Sequence, residues 1–412
     1  MTLDTTRARR LILGAALVGL LLRLGFGLFY WVGKPLTHDE REYLALAASL
    51  AAGRGFIYQD ASAGTSQQFG RAPGYPMFLA AIGAGRHDAD STPLRVKVAQ
   101  SIVGAAGVWL IGLIAFRAAG PRAGALAAGI AAIYPPLVWF SSYVLRETLY
   151  SFVALASASV LQLSVDRAEA HRTDRAGGAL ALGAGVLTGA AVLVRPAMLF
   201  FLPLAVLWLI FRRMPVLAVA LVAGAVAVVA PWTARNYRVH DRFVLVASEG
   251  GVTFWTGNHR LARGEGDLAA NPDIKQAELE FRQAHAGVTP EELEPLYYRD
   301  AVNYITNHPG WWLGLIARKA FYTLVPFGPS YALHSIRYRA ASTLSYLMIL
   351  PFAWLGLRHL LGADTVPTAL LLLASSAVLV SLVFFPQERF RVPVIDPTLI
   401  ICAAASGRHS RP

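Results

Sequence analysis

The chain has 412 residues, of which 55% are hydrophobic and only 15% charged, with a mean hydropathy of +0.48. A soluble domain carries about 25% charged residues, so this chain lacks the polar surface to cover a globule. An ordinary cytosolic enzyme, a disordered protein and a small secreted module are excluded; the composition is that of a polytopic membrane protein. The net charge of +12 points to basic loops facing the cytoplasm rather than to nucleic acid.

Lysine occurs only at Lys34, Lys97, Lys275 and Lys319, so nearly all the positive charge is arginine. Arginine suits bidentate phosphate contacts, although a coding bias toward Ala, Gly and Arg produces the same excess. The single Cys402 excludes an intrachain disulfide and a cysteine-based metal cluster.

The first apolar run, Leu11 to Val32, is long enough to span the hydrocarbon and reads as an uncleaved first helix. Further runs of spanning length cover 96–116, 122–140, 146–165, 177–194, 197–211, 215–232, 343–360, 366–385 and 391–406. Ten spans with the N-terminus inside put Arg7, Arg9, Arg10, Arg117, Arg122, Arg167, Arg172, Arg175, Arg212, Arg213, Arg358, Arg408 and Arg411 on the cytoplasmic side, as the positive-inside rule requires. Counting 73–85 as a span would invert the middle of this pattern. That stretch, and 311–327 with Arg318 and Lys319 at its centre, are therefore expected as interfacial or partly inserted helices on the outer side, within a total of ten to twelve.

This topology places 33–95 and 233–310 outside. In the first, Tyr43, Leu46, Ala47 and Leu50 recur at helical spacing, which predicts an amphipathic helix over 39–52 lying on the membrane surface and ended by Gly53. In the second, Thr289-Pro290-Glu291-Glu292 predicts a helix start with a capping box, and Pro295 is expected to disturb the helix begun there. Another helix is expected over Ile274 to Ala286. The chain divides into 1–232 with the 33–95 loop, the outer region 233–310, and 311–412.

Asp39 and Glu40 sit at the mouth of the first span. Thr37-x-x-Glu40 matches a capping box, so a structural use stands beside a catalytic one for both acids. The pair is followed by Y-x-x-x-A-x-x-L-x-x-G-x-G-F from Tyr43 and by Arg71-Ala72-Pro73-Gly74-Tyr75-Pro76. Later come Arg146-Glu147-Thr148-Leu149-Tyr150, Pro231-Trp232-Thr233-Ala234-Arg235-Asn236-Tyr237, Gly250 to Asn258, and Glu388-Arg389-Phe390-Arg391-Val392-Pro393. In this order the string resembles the GT-C membrane glycosyltransferases. It is most similar to the prokaryotic branch of the dolichyl-phosphate-mannose–protein mannosyltransferase superfamily, which includes the lipid A aminoarabinose transferases.

The resemblance implies an all-α GT-C fold and transfer of a hexose or pentose from a polyprenyl-phosphate donor to a glycolipid, polysaccharide or protein at the outer face, usually with inversion. Some relatives are associated with divalent ions; no histidine lies at ligand spacing from His38, so a metal is left open. The reaction needs a carboxylate to take the acceptor proton and fixed cations for the leaving phosphate. Asp39 is the expected base, with Glu40 either orienting the acceptor or serving only as the cap. Arg71, Arg235, Lys319, Arg389 and Arg391 are the candidate phosphate ligands, each also explicable as a boundary or snorkelling residue. Glu147, Tyr43, Tyr75 and the intramembrane Arg23 are supporting candidates. A transporter of lipid-linked sugars and an inactive partner subunit are the rival readings. The charges gather at one face and no internal repeat is present, which favours the enzyme.

Overall fold

The computed structural model describes residues 4–59, 66–67, 70–86, 88–170, 175–266, 271–328, 334–362 and 366–407. Arg172, Arg408 and Arg411, counted above among the cytoplasmic charges, lie outside the described residues.

The chain is a helical bundle. Helix α1 (Thr5–Gly25) continues as a π-helical turn, Phe26–Tyr30. Helix α2 (His38–Ala51) leads to a two-residue antiparallel ribbon, β1 (Tyr58–Gln59) with β2 (Ser66–Gln67), and to the short α3 (Gly74–Ala81). Helices α4 (Leu94–Ala119), α5 (Pro121–Ile133) and α6 (Pro135–Trp139) come next, the chain bending by 63° between the last two. After them are α7 (Glu147–Ala170), α8 (Arg175–Val194), α9 (Phe201–Phe211) and α10 (Pro215–His240). A polar set comprises α11 (Gly250–Asn258), α12 (Pro272–Ala284), α13 (Pro290–Asn307) and the amphipathic α14 (Pro309–Leu324). The series closes with α15 (Ile336–Leu361), α16 (Thr368–Val383), α17 (Glu388–Arg391) and α18 (Ile395–Ala405).

Every expected span has a helix, but not all are long enough to cross. Among the described residues six helices have the length and apolarity of a span, or seven if the bent pair α5–α6 is one. Pro196–Phe211, Thr368–Val383 and Ile395–Ala405 are apolar but shorter. Hydropathy read 391–406 as one run because Val392-Pro393-Val394 is apolar; in space that tripeptide separates α17 from α18.

Small residues allow the helices to close on one another. A Cβ at Gly185 on α8 would overlap the Leu221 carbonyl oxygen on α10, and one at Gly356 on α15 would overlap the Cys402 carbonyl oxygen on α18. Such contacts are the small-residue interfaces of membrane helices, where packing rather than water exclusion supplies the attraction.

Three local expectations are corrected. Helix α2 does not lie on the membrane with an open apolar face: Tyr43, Leu44 and Ala47 are buried against Tyr75 and Leu79 of α3 and the segment before α7. Pro295 does not interrupt α13, which runs on from its Thr289–Glu292 capping box. Helix α10 does not end at the membrane boundary but extends through Pro231 to His240.

Candidate functional site

Asp39 lies in the first turn of α2, and the position of that turn is fixed by its neighbour. Glu40 Oε2 accepts from Thr37 N at 2.8 Å and from Thr37 Oγ1 at 2.9 Å, while Glu40 Oε1 accepts from Val144 N at 2.8 Å. One carboxylate thus closes the capping box and ties α2 to the chain entering α7. Burial pushes the Glu40 carboxyl up, against the pull of these donors. Of the two uses read from the sequence, the structure gives Glu40 the cap.

Beneath α2, the Tyr43 and Tyr75 rings meet edge to face at 5.0 Å, and Tyr75 Oη bonds Gln100 Oε1 at 3.3 Å. Gln100 in turn donates to Tyr143 O. Both tyrosines are therefore packing elements beneath the site, and burial pushes the Tyr43 phenol up to about 12. The glycine of Arg71-Ala72-Pro73-Gly74 has a steric purpose. A Cβ at Gly74 would meet the backbone of Leu193 and Val194 at 2.8 Å. Only glycine lets α3 sit on the end of α8 and hold Arg71 over the Tyr43 ring, 5.5 Å from its centroid.

The charges then converge. Arg71 Nη2 donates to Asp39 Oδ1 at 2.7 Å, Arg71 Nε to Glu42 Oε2 at 2.7 Å, and Arg71 Nη1 to Glu249 Oε2 at 3.0 Å. Arg389 Nη1 donates to Asp39 Oδ2 at 2.9 Å, and Arg146 Nη1 reaches Glu249 Oε1 at 3.4 Å. Three carboxylates face three guanidiniums, drawn from α2, the loop before α3, the start of α7, the segment after α10, and α17. Burial alone would raise the Asp39 carboxyl; Arg71, Arg389 and Arg146 outweigh it and hold the group well below the usual carboxylate range. For Glu42 burial prevails, and its carboxyl is raised.

Glu249 arrives by a fold-back. On one face of α10, Trp232 Nε1 donates to Val246 O at 2.8 Å, Thr233 Oγ1 to Leu245 O at 2.8 Å and Asn236 Nδ2 to Val244 O at 2.9 Å. The Trp-Thr-Ala-Arg-Asn string thereby lays the next segment along the helix and delivers Glu249 to Arg71. Arg389 is placed similarly: Gln387 accepts from its Nε at 2.9 Å, and Glu388 accepts from Tyr338 Oη at 2.9 Å and from Ser342, which anchors α17 on α15.

The remaining candidates lie elsewhere. Arg391 is in a separate buried pair, Nε to Asp396 Oδ1 at 2.7 Å, with Tyr134 Oη donating to Asp396 Oδ2 at 3.1 Å. Lys319 is fully buried and caps α16, donating to Leu382 O at 3.1 Å and to Asn258 Oδ1 at 2.9 Å; cations are favoured at a helix C-terminus. Arg235 stacks over Trp232 at 5.0 Å and donates to Asn236. These three were expected as phosphate ligands; the partners described for them are Asp396, then Leu382 with Asn258, and Trp232 with Asn236.

Arg23 is buried in the bundle and donates to Gly19 O at 2.9 Å and to Ala131 and Ala132 carbonyls at 3.4 Å. It and the buried Glu147 line one internal cavity of about 20 Å³, room for a water.

Sequence reasoning missed Glu42 and Glu249 and named Arg146 only within the motif that opens α7. Glu42 was findable, three residues beyond Asp39 on one helical face. Glu249 had no local signal, since its partner Arg71 is 178 residues away. Among the described residues no group of three or more His, Cys, Asp or Glu side chains is disposed to hold a metal ion. The carboxylates that do converge do so on the Arg71 guanidinium.

No protein-family profile and no curated protein sequence matches the chain. Solved structures do. The archaeal oligosaccharyltransferase AglB from Archaeoglobus fulgidus, in complex with an inhibitory peptide and a dolichol-phosphate, matches 96% of this chain and 50% of its own, with a TM-score of 0.59 at 14% identity. The same enzyme tethered with an acceptor peptide matches 98% of this chain and 49% of its own, with a TM-score of 0.61 at 14% identity. ArnT from Cupriavidus metallidurans bound to undecaprenyl phosphate matches 99% of this chain and 61% of its own, with a TM-score of 0.55 at 15% identity. The chain thus spans about half the length of the oligosaccharyltransferase. At such identities the likeness is one of architecture: the chain has the fold of the GT-C glycosyltransferases, of which AglB and ArnT are both examples.

Proposed function

We propose that the protein is a membrane glycosyltransferase that moves a sugar from a polyprenyl-phosphate donor to an acceptor hydroxyl or amine at the outer face of the cytoplasmic membrane. The observation that carries this reading is Asp39, half-buried and gripped on its two oxygens by Arg71 and Arg389. A base and two phosphate ligands are within one hydrogen bond of each other. The neighbours with bound dolichol-phosphate and undecaprenyl phosphate support a lipid-linked donor.

The same contacts describe a working order. With both oxygens engaged and its pKa depressed, Asp39 is a weak base. An arriving donor phosphate competes for Arg71 and Arg389 and draws them off the carboxylate, which raises its basicity as the donor docks. Asp39 then takes the acceptor proton while the acceptor atom attacks the sugar C1 from the side opposite the phosphate. The C1–O bond breaks, its electron pair stays on the phosphate, and the two arginines stabilise that charge. A single attacking step inverts the anomeric carbon. Glu42 and Glu249 keep Arg71 in place, and Glu40 keeps Asp39 in place.

The test uses purified full-length protein in lipid, offered a panel of polyprenyl-phosphate sugars with membrane extract, with release of polyprenyl phosphate followed by mass spectrometry. Wild type should release it, and Asp39→Asn should be slower by about 10²–10⁴-fold, the range for loss of a general base. No release from any bound donor would overturn the enzyme reading in favour of a transporter or partner subunit.

A further inference from the structure

Helices α4 and α7 run from the Asp39 cluster to the opposite face of the molecule, and a second cavity opens between their far ends. It has a volume of about 200 Å³ and lies between α4, α7 and the start of α16. Glu147 stands at the cluster end of α7 and Gln162 lines this cavity, fifteen residues on, or about 22 Å along the helix axis. That is most of the roughly 30 Å hydrocarbon thickness, so the cavity lies toward the other membrane interface.

The cavity exists because α16 is short. It begins only at Thr368, level with Gln162 of α7, which continues to Ala170. The walls are aliphatic: Leu110, Leu113 and Ile114 from α4, Leu163 from α7 and Leu370 from α16. One rim is polar. Arg117 Nη2 bonds Asp166 Oδ2 at 3.3 Å, Gln162 Nε2 donates to Asp166 Oδ1 at 2.9 Å, and Gln162 Oε1 accepts from Ala369 N at 3.1 Å. Both members of the ion pair are about half exposed, and an exposed pair of this kind contributes little, so its arginine is open to exchange. Arg122 and Arg175 open α5 and α8, and Arg167, Arg212 and Arg213 lie at or just past the C-terminal ends of α7 and α9, where the nearby acids are Asp166 and Glu169.

We infer that this cavity is a binding site for an anionic phospholipid of the leaflet opposite the Asp39 cluster, with one acyl chain between α4, α7 and α16 and the headgroup phosphate on Arg117. An aliphatic cleft bordered by bilayer is filled by chains, and basic pockets between membrane helices select anionic headgroups. Arg117 exchanges Asp166 for the phosphate, and Asp166 keeps its bond from Gln162. The inference stands on the cavity and its rim, independently of the glycosyltransferase reading.

The test is native mass spectrometry of delipidated full-length protein titrated with dioleoylphosphatidylglycerol and with dioleoylphosphatidylcholine. The anionic lipid should bind at one site about fivefold more tightly, the ratio that one lysine or arginine near a headgroup provides. Arg117→Gln should abolish that preference, Leu113→Trp should weaken both lipids by filling the cavity, and Arg122→Gln should leave the preference intact. Equal binding of the two lipids, or equal loss with Arg117→Gln and Arg122→Gln, would overturn the site. Undecaprenyl phosphate is the third lipid; if it displaces the phosphatidylglycerol in an Arg117-dependent way and binds more tightly, the assigned occupant is wrong. Should Leu113→Trp unfold, the two arginine variants still decide the matter.

Discussion

Arg71 Nη1 donates to Glu249 Oε2 at 3.0 Å and so latches the polar helices α11–α14 to the loop ahead of α3. Glu249 immediately precedes α11, and its other oxygen meets Arg146. Glu249→Gln keeps the shape and removes the charge of one of the three carboxylates that hold Arg71. Its expected effect is a fall in kcat/KM of about tenfold, near 1.4 kcal/mol, with a thermal midpoint close to wild type. Trp232→Phe removes the bond to Val246 O that lays this segment down and should act in the same direction. Steady-state kinetics and a melting curve on each variant check both.

The two adjacent acids of α2 should separate cleanly. Glu40 is 2% exposed and accepts three hydrogen bonds. Glu40→Ala removes the cap and strands the buried Val144 N–H, which together cost about 2–4 kcal/mol of stability. Glu40→Gln retains one of the two acceptor oxygens and should cost less. Asp39→Asn should instead slow turnover by about 10²–10⁴-fold while leaving the midpoint within a few degrees. Equal loss of stability in the Asp39 and Glu40 variants would contradict this division.

Acid should affect binding and turnover differently. Despite its burial, the Asp39 carboxyl is lower in the folded protein than in the unfolded chain, owing to its arginines. Its stabilising contribution is therefore complete above the ordinary carboxylate range and is lost only as pH falls through the lower folded value. Glu42 has the opposite sign: raised by burial, it makes stability decline as pH climbs from the ordinary glutamate range to its folded value. For activity, kcat/KM reports the free enzyme and kcat the complex. Donor phosphate takes arginines from Asp39, so the acid limb of kcat should lie at higher pH than any Asp39 limb of kcat/KM. Coincident limbs would show that the arginines stay on Asp39.

Arg391 and Asp396 form a pair that is 4% and 0% exposed. Breaking it with Arg391→Met strands a buried carboxylate and should destabilise by about 3–5 kcal/mol. The double variant Arg391→Met with Asp396→Leu should recover most of that. Arg389→Gln, by contrast, should lower turnover with little change in midpoint. Chemical denaturation of the single and double variants tests the cycle.

The sequence carried the architecture because membrane helices announce themselves by apolar length, and it carried Asp39, Arg71 and Arg389 because each sits in a short string of ordered motifs. It did not separate Arg389 from Arg391. Two residues apart on a turn, they point to different partners, and only the position of Asp396 decides which one is spent on a buried pair. The partners of Lys319 were hidden for a related reason. An isolated lysine in an apolar stretch looks like an anion site, but the carbonyls that end α16 lie 63 and 64 residues further along the chain. The last apolar run read as one continuous helix because hydropathy registers apolar residues and not the proline-containing break between α17 and α18.

The partner of Asp39 in α17 lies 350 residues downstream of it. A chain emerging from the ribosome lays down α2 and the Arg71 loop long before Arg389 is made, and domains form in the order of synthesis. Throughout that interval Asp39 lacks the arginine that engages its second oxygen. The nascent protein therefore passes most of its insertion into the bilayer with this ion-pair cluster incomplete, and completion of the bundle and of the Asp39 pairs are one event. A cell that degrades chains stalled before α17 removes, by that same act, every copy whose Asp39 lacks its second arginine.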